Sequence, residues 1–187
     1  INIAISKKDI NKCFNFSKAI IQTNNQFNRF HKSQQIQIER TFIGKIAEYI
    51  FLKFLRNNGV NYPEGDMFDI FEGKENVDSF DFITMSGNTV DIKTASKTFH
   101  KRIMIPISQW HLEKNYYVGI RIHTQSNSFN SPIKIENISK ATIHGYCNRN
   151  EIEQSKTRSF GDGPCKHYLL ADLKNIESLL DQFKYSR

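Results

Sequence analysis

Apolar residues recur at helical spacing in two stretches near the start of the chain and at strand spacing through most of the remainder. Ser6 followed by Asp9 forms a capping-box signature, and Ile10, Cys13 or Phe14, and Ile20 or Ile21 continue it, so a first helix is predicted to about Thr23. From Gln34 to Asn58 the positions Ile36, Phe42, Ile43, Ile46, Ala47, Ile50, Phe54 and Leu55 keep one helical face, and Gly59 supplies the stop. The polar segment Asn24 to Ser33, with Phe27 and Phe30 inside it, reads as a connector.

Strand patterns follow at Asp66 to Phe71, Phe80 to Met85, Thr89 to Ala95, Tyr116 to His123, near Ala141 to Tyr146, and His167 to Leu170. Between them Pro106 and Ser108 open a short helix with Gln109, Trp110 and His111. Asn148 and Glu151 make a second capping box, and Asp172 to Lys184 reads as a closing helix. Lys97 to Arg102, Thr124 to Ser131 and Thr157 to Lys166 read as loops. Helices and strands that interleave in this way predict an α/β fold.

Ser86-Gly87-Asn88 separates two of the strands and reads as a hairpin turn. Side chains in a strand alternate faces, so Asp91 and Lys93 point the same way while Val90, Ile92 and Thr94 face the core. Loop length then decides where Asp81 goes. A two-residue loop would pair Ser86 with Thr89 and put Asp81 on the opposite face from Asp91. A three-residue loop, or an equivalent bulge, pairs Met85 with Thr89, Ile83 with Asp91 and Asp81 with Lys93, and all three polar groups then share one face. The longer loop is predicted.

Two carboxylates that converge on one point suit Mg²⁺, a hard ion that prefers oxygen and keeps waters able to act as nucleophiles. Lys93 would balance the charge of a phosphate or of the attacking water. Glu48, in the middle of the second helix and one turn beyond Gly44, is the candidate third carboxylate; pairing with Lys45 or Lys53 is the plainer reading of the same residue. The basic run Lys97, His100, Lys101 and Arg102, directly downstream of the Asp91 strand, would contact phosphates or remain a solvated loop.

Charge is unevenly spread along the 187 residues. Residues 1 to 60 carry +7, residues 61 to 90 carry −6 and the rest +6, for a net +7. Basic flanks around an acidic centre suit a polyanion such as DNA. The length fits a single domain, 1 to 187. Cys13, Cys147 and Cys165 make no even disulfide framework, and no apolar run is long enough to span a bilayer or act as a signal, so a reduced, cytoplasmic protein without a membrane partner is expected. His144, Cys147, Cys165 and His167 depart from zinc-finger spacing and read as buried thiols and surface histidines. There is no P-loop, no H-E-x-x-H motif and no internal repeat.

A glutamate on a helix, then an aspartate, then D-x-K on adjacent strands, then a helix and a further strand resembles the PD-(D/E)XK nuclease superfamily, and restriction endonucleases within it. The resemblance covers about residues 34 to 123 and implies a central mixed β-sheet flanked by helices. By position it implies Glu48, Asp81 and Asp91 as ligands of one or two Mg²⁺ ions and Lys93 as the group that activates water. Phe80 stands where the motif has proline, and Asp91 where glutamate is commoner. Gln109 resembles a glutamine that some branches place near the site, and with Lys97, Lys101 and Arg102 it completes the DNA-contacting set.

The chain is almost all catalytic core, which the resemblance explains in two ways. It is the cleavage subunit of a heterodimeric type IIS enzyme with a site-recognising large subunit, or it reads double-stranded DNA together with a second copy of itself. A non-catalytic DNA-binding or assembly protein is the alternative from another class.

Overall fold

The computed structural model describes residues 1–23, 33–70, 80–112, 114–125, 133–160 and 163–184. Helix α1 (Lys7–Thr23) starts at the box read from sequence: Asp9 N–H donates to Ser6 Oγ at 3.2 Å and Ser6 N–H donates to Asp9 Oδ2 at 2.9 Å. Helix α2 (Gln34–Asn57) is the longest element, and it ends where Gly59 takes φ +81° and its N–H bonds the Arg56 carbonyl. Its apolar face, Phe42, Ile46, Ala47, Ile50, Phe51, Phe54 and Leu55, is buried.

That face covers one side of a five-stranded mixed sheet, ordered β1 (Asn2–Ala4), β6 (Lys140–Asn148), β5 (Tyr116–Ile122), β3 (Thr89–Ala95), β2 (Phe82–Ile83). Among the described residues only β3 and β5 pair in parallel. Val90, Ile92, Val118, Ile120, Ile122 and Ile143 pack against α2 in the larger core. The sheet's other side is covered by a second, three-stranded sheet, β4 (Arg102–Pro106), β8 (Pro164–Leu169), β7 (Arg158–Ser159), through Ala95, Ile103, Ile105, Tyr117, Cys147 and Leu170. The fold is therefore mixed α/β, with both faces of the sheet buried. Among the described residues no helix is long and apolar enough to cross a membrane.

Three expectations are corrected. Asp66 to Ile70 is turn, not strand: Gly65 takes φ +55°, Asp69 N–H bonds the Asp66 carbonyl at 2.8 Å, and Phe68 is fixed edge-on against Phe16 and Tyr49; Phe71 lies outside the described residues. A third strand instead comes after the hairpin, as β4; the loop read at Lys97 to Arg102 is found as far as Lys101, and only Arg102 belongs to the strand. In sequence order α2 is then followed by β2, β3 and β4, a short 3₁₀ helix (Ile107–Leu112) and β5, with β4 in the second sheet.

The closing helix is broken. Lys174 bridges to Tyr146, N–H to carbonyl both ways at 2.8 and 3.1 Å, so regular helix begins only at α4 (Ile176–Leu180), capped by Asn175. The capping box of α3 (Arg149–Glu153) forms as read. Of the three loops and the connector, residues 24–32, 126–131, Gly161 and Asp162 lie outside the described residues.

Candidate active site

The hairpin sets the site. Phe82 pairs with Val90 and Ile83 with Thr89, which leaves a five-residue loop, Thr84 to Asn88, where three were predicted. Thr84 N–H bonds the Asn88 carbonyl at 2.9 Å, Gly87 N–H bonds the Thr84 carbonyl at 3.0 Å, and Gly87 takes φ +83°. The loop grows by two residues, so the partners change: Ile83 takes Thr89 instead of Asp91, and the register slips at Asp81, whose N–H bonds the Val90 carbonyl although Val90 already pairs with Phe82. Asp91 and Lys93 keep one face of β3, with Asp81 beside them at the slip.

The three are tightly connected. Asp81 N–H bonds the Val90 carbonyl at 3.1 Å and Asp81 Oδ2 accepts Ile92 N–H at 2.6 Å, so the aspartate is clamped to β3 by main chain and side chain alike. Lys93 Nζ lies 2.6 Å from Asp91 Oδ2, and the two side chains are 20 % and 14 % exposed. Glu48 Oε2 lies 2.6 Å from Lys45 Nζ, one helical turn back. The plainer reading of Glu48 is thus borne out by its bond to Lys45, and yet the same carboxylate acts on the cluster.

The Asp81 carboxyl is pushed well above the usual carboxylate range, first by burial, then by the negative charges of Glu48 and Asp91, against smaller opposing effects from Ile92 N–H and Lys93. Helix α2 and the hairpin therefore bring three acids into one electrostatic unit. Because β2 is two residues long and, among the described residues, ends the sheet, Asp81 stands at an edge that α2 can also reach.

Gly44 does not make room for a close neighbour: a Cβ there would meet nothing within 4 Å. The opposite wall is built by β5. Tyr117 pairs with Asp91, and its phenol is pushed up to about 12 by burial first and then by Asp91. Trp110 stacks on Tyr117 with ring centroids 6.4 Å apart, and the Arg149 guanidinium lies 4.2 Å over the Trp110 ring. Gln109 sits half-buried on the same short helix, next to Trp110, which packs on Tyr117. Beside Lys93, Gly119 lets Leu170, Leu173 and Ile103 close down; a Cβ there would fall 2.5 Å from Leu173 Cδ1.

The proposed DNA-contacting residues fall in different settings. Lys101 is exposed and Lys97 half-buried, on a loop braced by Arg121, whose Nη1 donates to the Lys97 carbonyl at 2.9 Å and whose other terminal nitrogen donates to the His100 carbonyl. His100 is a brace as well: Nδ1 accepts Ser96 and Lys97 N–H, and burial, then Arg121 and Lys97, lower its pKa. Arg102 alternates outward with Met104 on β4 while Ile103 and Ile105 face in, so it stands on the outer face of the second sheet. His144 and His167 are half-buried rather than on the surface, each with an unpartnered Nε2, and Cys147 and Cys165 are buried free thiols.

Lys114 was not singled out from sequence. It is 6 % exposed, just ahead of β5, and it responds to Asp91, Asp81 and Lys93. A lone lysine in front of a strand carries no signal in the sequence, because only the fold turns it inward.

A carboxyl held up by burial and by two neighbouring negative charges, as Asp81 is, is what a divalent cation relieves, so the donor set suits Mg²⁺. Among the described residues no group of three metal-binding side chains is assembled as it stands, with Asp91 turned to Lys93 and Glu48 to Lys45. No protein-family model, no curated protein and no solved structure matches the chain.

Proposed function

We propose that this protein is a Mg²⁺-dependent DNA endonuclease of the PD-(D/E)XK kind, acting as the cleavage subunit or protomer of a type II or IIS restriction enzyme. The observation that carries the reading is the joint arrangement of Asp81, Asp91 and Glu48 as one mutually repelling carboxylate cluster, with Lys93 on the Asp91 face. A structural role explains this cluster poorly, since Asp81 is buried beside two like charges with a backbone N–H and no lysine on its own carboxylate. The order of α2, β2, β3, β4, short helix and β5 supports the same reading, although β4 lies in the second sheet.

Asp81 and Asp91, with Glu48 directly or through water, would hold Mg²⁺, which supplies positive charge to a phosphate oxygen and a more acidic water. Asp81 is fixed by Ile92 N–H and so sets the position of the scissile phosphate relative to β3. Lys93, two residues along the same face, donates to the attacking water and orients it in line with the leaving 3′-oxygen. Water oxygen bonds to phosphorus, the P–O3′ bond breaks, and a 5′-phosphate and a 3′-hydroxyl are left. Sequence recognition comes from a large partner subunit or from a second copy of the chain.

The test is conversion of supercoiled plasmid by the purified protein and by Asp91→Ala, in Mg²⁺, in Mn²⁺ and in EDTA, with and without a recognition subunit. Cutting that needs the metal and is lost in Asp91→Ala supports the nuclease; dependence on the added subunit marks a cleavage subunit. Salt-sensitive DNA binding with no cutting under any of these conditions would instead identify a non-catalytic DNA-binding or assembly protein.

A further inference from the structure

Asp9 and Lys114 are the two charged residues buried among those described. Asp9 is satisfied by Lys53 at 2.7 Å and by the Ser6 cap. Lys114 makes no ion pair among the described residues, whose pairs join Lys12, Lys45, Lys53, Arg56, Lys93, Lys174 and Lys184 to their acids. A lysine residue at 6 % exposure with no carboxylate partner among the described residues is disfavoured in its charged form, and burial lowers its pKa.

Its backbone is held firmly. Asn115, the next residue, clips onto Thr89: Asn115 Oδ1 accepts Thr89 N–H at 2.8 Å and Thr89 Oγ1 at 2.9 Å, and Asn115 N–H donates to Thr89 Oγ1 at 3.1 Å. Tyr116 then pairs with Val90, one residue before Asp91. Lys114 is thus fixed where the hairpin delivers its acids, and Asp91 and Asp81 both favour its charged form while burial opposes it.

Counting charge shows what is left over. Three acids, Glu48, Asp81 and Asp91, face three lysines, Lys45, Lys93 and Lys114. Glu48 and Asp91 each hold one lysine at 2.6 Å, and Asp81 takes Ile92 N–H instead of the third. If a divalent cation, a phosphodiester and a hydroxide are added, the total is again zero only when all three lysines remain charged. Without Lys114 the loaded site would carry an excess negative charge as more charge develops on the phosphate.

We propose that Lys114 is the cation that receives the anionic phosphate oxygens of the substrate at this site. The proposal rests on the nuclease reading for its substrate, but a buried anion-receiving lysine can be tested without cleavage. Lys114→Met keeps the length of the side chain and removes the charge. The thermal midpoint of the variant should rise, because an unpaired buried charge has gone, and inorganic phosphate should protect the wild type but not the variant against heat. Where the wild type cuts plasmid in Mg²⁺, the variant's rate should fall by about 10²-fold or more, the scale of losing one group that stabilises transition-state charge.

A midpoint that falls, or phosphate protection that survives in Lys114→Met, makes Lys114 a structural residue and overturns the proposal. Cutting by the variant at the wild-type rate overturns it too. A wild type that never cuts sinks the nuclease reading alone, and the phosphate protection still decides Lys114.

Discussion

Asp81 Oδ2 accepts the backbone N–H of Ile92 at 2.6 Å, so the carboxylate is fixed to the strand that carries Asp91 and Lys93. That bond favours the ionised form, and it is outweighed by burial and by the charges of Glu48 and Asp91. The carboxyl therefore titrates higher in the folded chain than in the unfolded one, where a value of about 3.9 applies.

Protons bound by the folded state and absent from the unfolded state make stability fall as pH rises from about 4 through the folded value, after which the loss is complete. Asp81→Asn retains an oxygen for Ile92 N–H and removes this penalty. In EDTA at pH 7 its thermal midpoint should exceed that of the wild type, by about 2–4 °C for each kcal/mol released, and near pH 4 the two midpoints should converge. A variant that melts lower at pH 7 contradicts the assigned repulsion.

Lys93→Met leaves Asp91 half-buried without its 2.6 Å partner. In EDTA the variant should lose about 1–3 kcal/mol, the usual cost of stranding such a group. Mg²⁺ should recover part of the loss, since the vacated carboxylate turns toward the ion, and plasmid cutting should stay at least about 10²-fold below wild type. Melting curves with and without Mg²⁺ check the first two effects and the plasmid assay the third.

Gly44 lies inside α2 with open space around the position of a Cβ. Gly44→Ala should therefore stabilise the chain by about 0.5–1 kcal/mol through helix propensity alone. Urea denaturation measures it; a loss of stability would show that something packs where the alanine methyl goes.

Gly145 is the opposite case. It takes φ +148°, and a Cβ there would fall 2.0 Å from the Lys174 carbonyl oxygen. Gly145→Ala should cost more than about 3 kcal/mol, because backbone on both sides must move and the Tyr146–Lys174 bridge must break. The drop in midpoint should be accompanied by loss of protection from hydrogen exchange at Lys174 N–H.

The sequence by itself determined the local elements whose signals lie within a few residues. Ser6 with Asp9, Asn148 with Glu151 and Gly59 fixed helix ends, and the apolar period fixed the buried face of α2, because caps and periodicity depend on neighbours in the chain. It also determined that Asp91 and Lys93 share a face, since pleating allows nothing else. The hairpin loop is two residues longer than the sequence predicts, and a register slip at Asp81, rather than regular alternation, sets that residue against β3.

What only the tertiary structure decided depends on partners far along the chain. Lys174 docks on Tyr146 and breaks the closing helix, β4 forms by pairing with β8 some sixty residues later, and Phe68 holds a turn where a strand was expected. The burial of Lys114 and the repulsion that Asp81 feels from Glu48 belong to the same class. Charge interactions act through space and low dielectric, so their strength is set by which side chains the fold brings together and how much water it removes, and neither quantity is written in the order of residues.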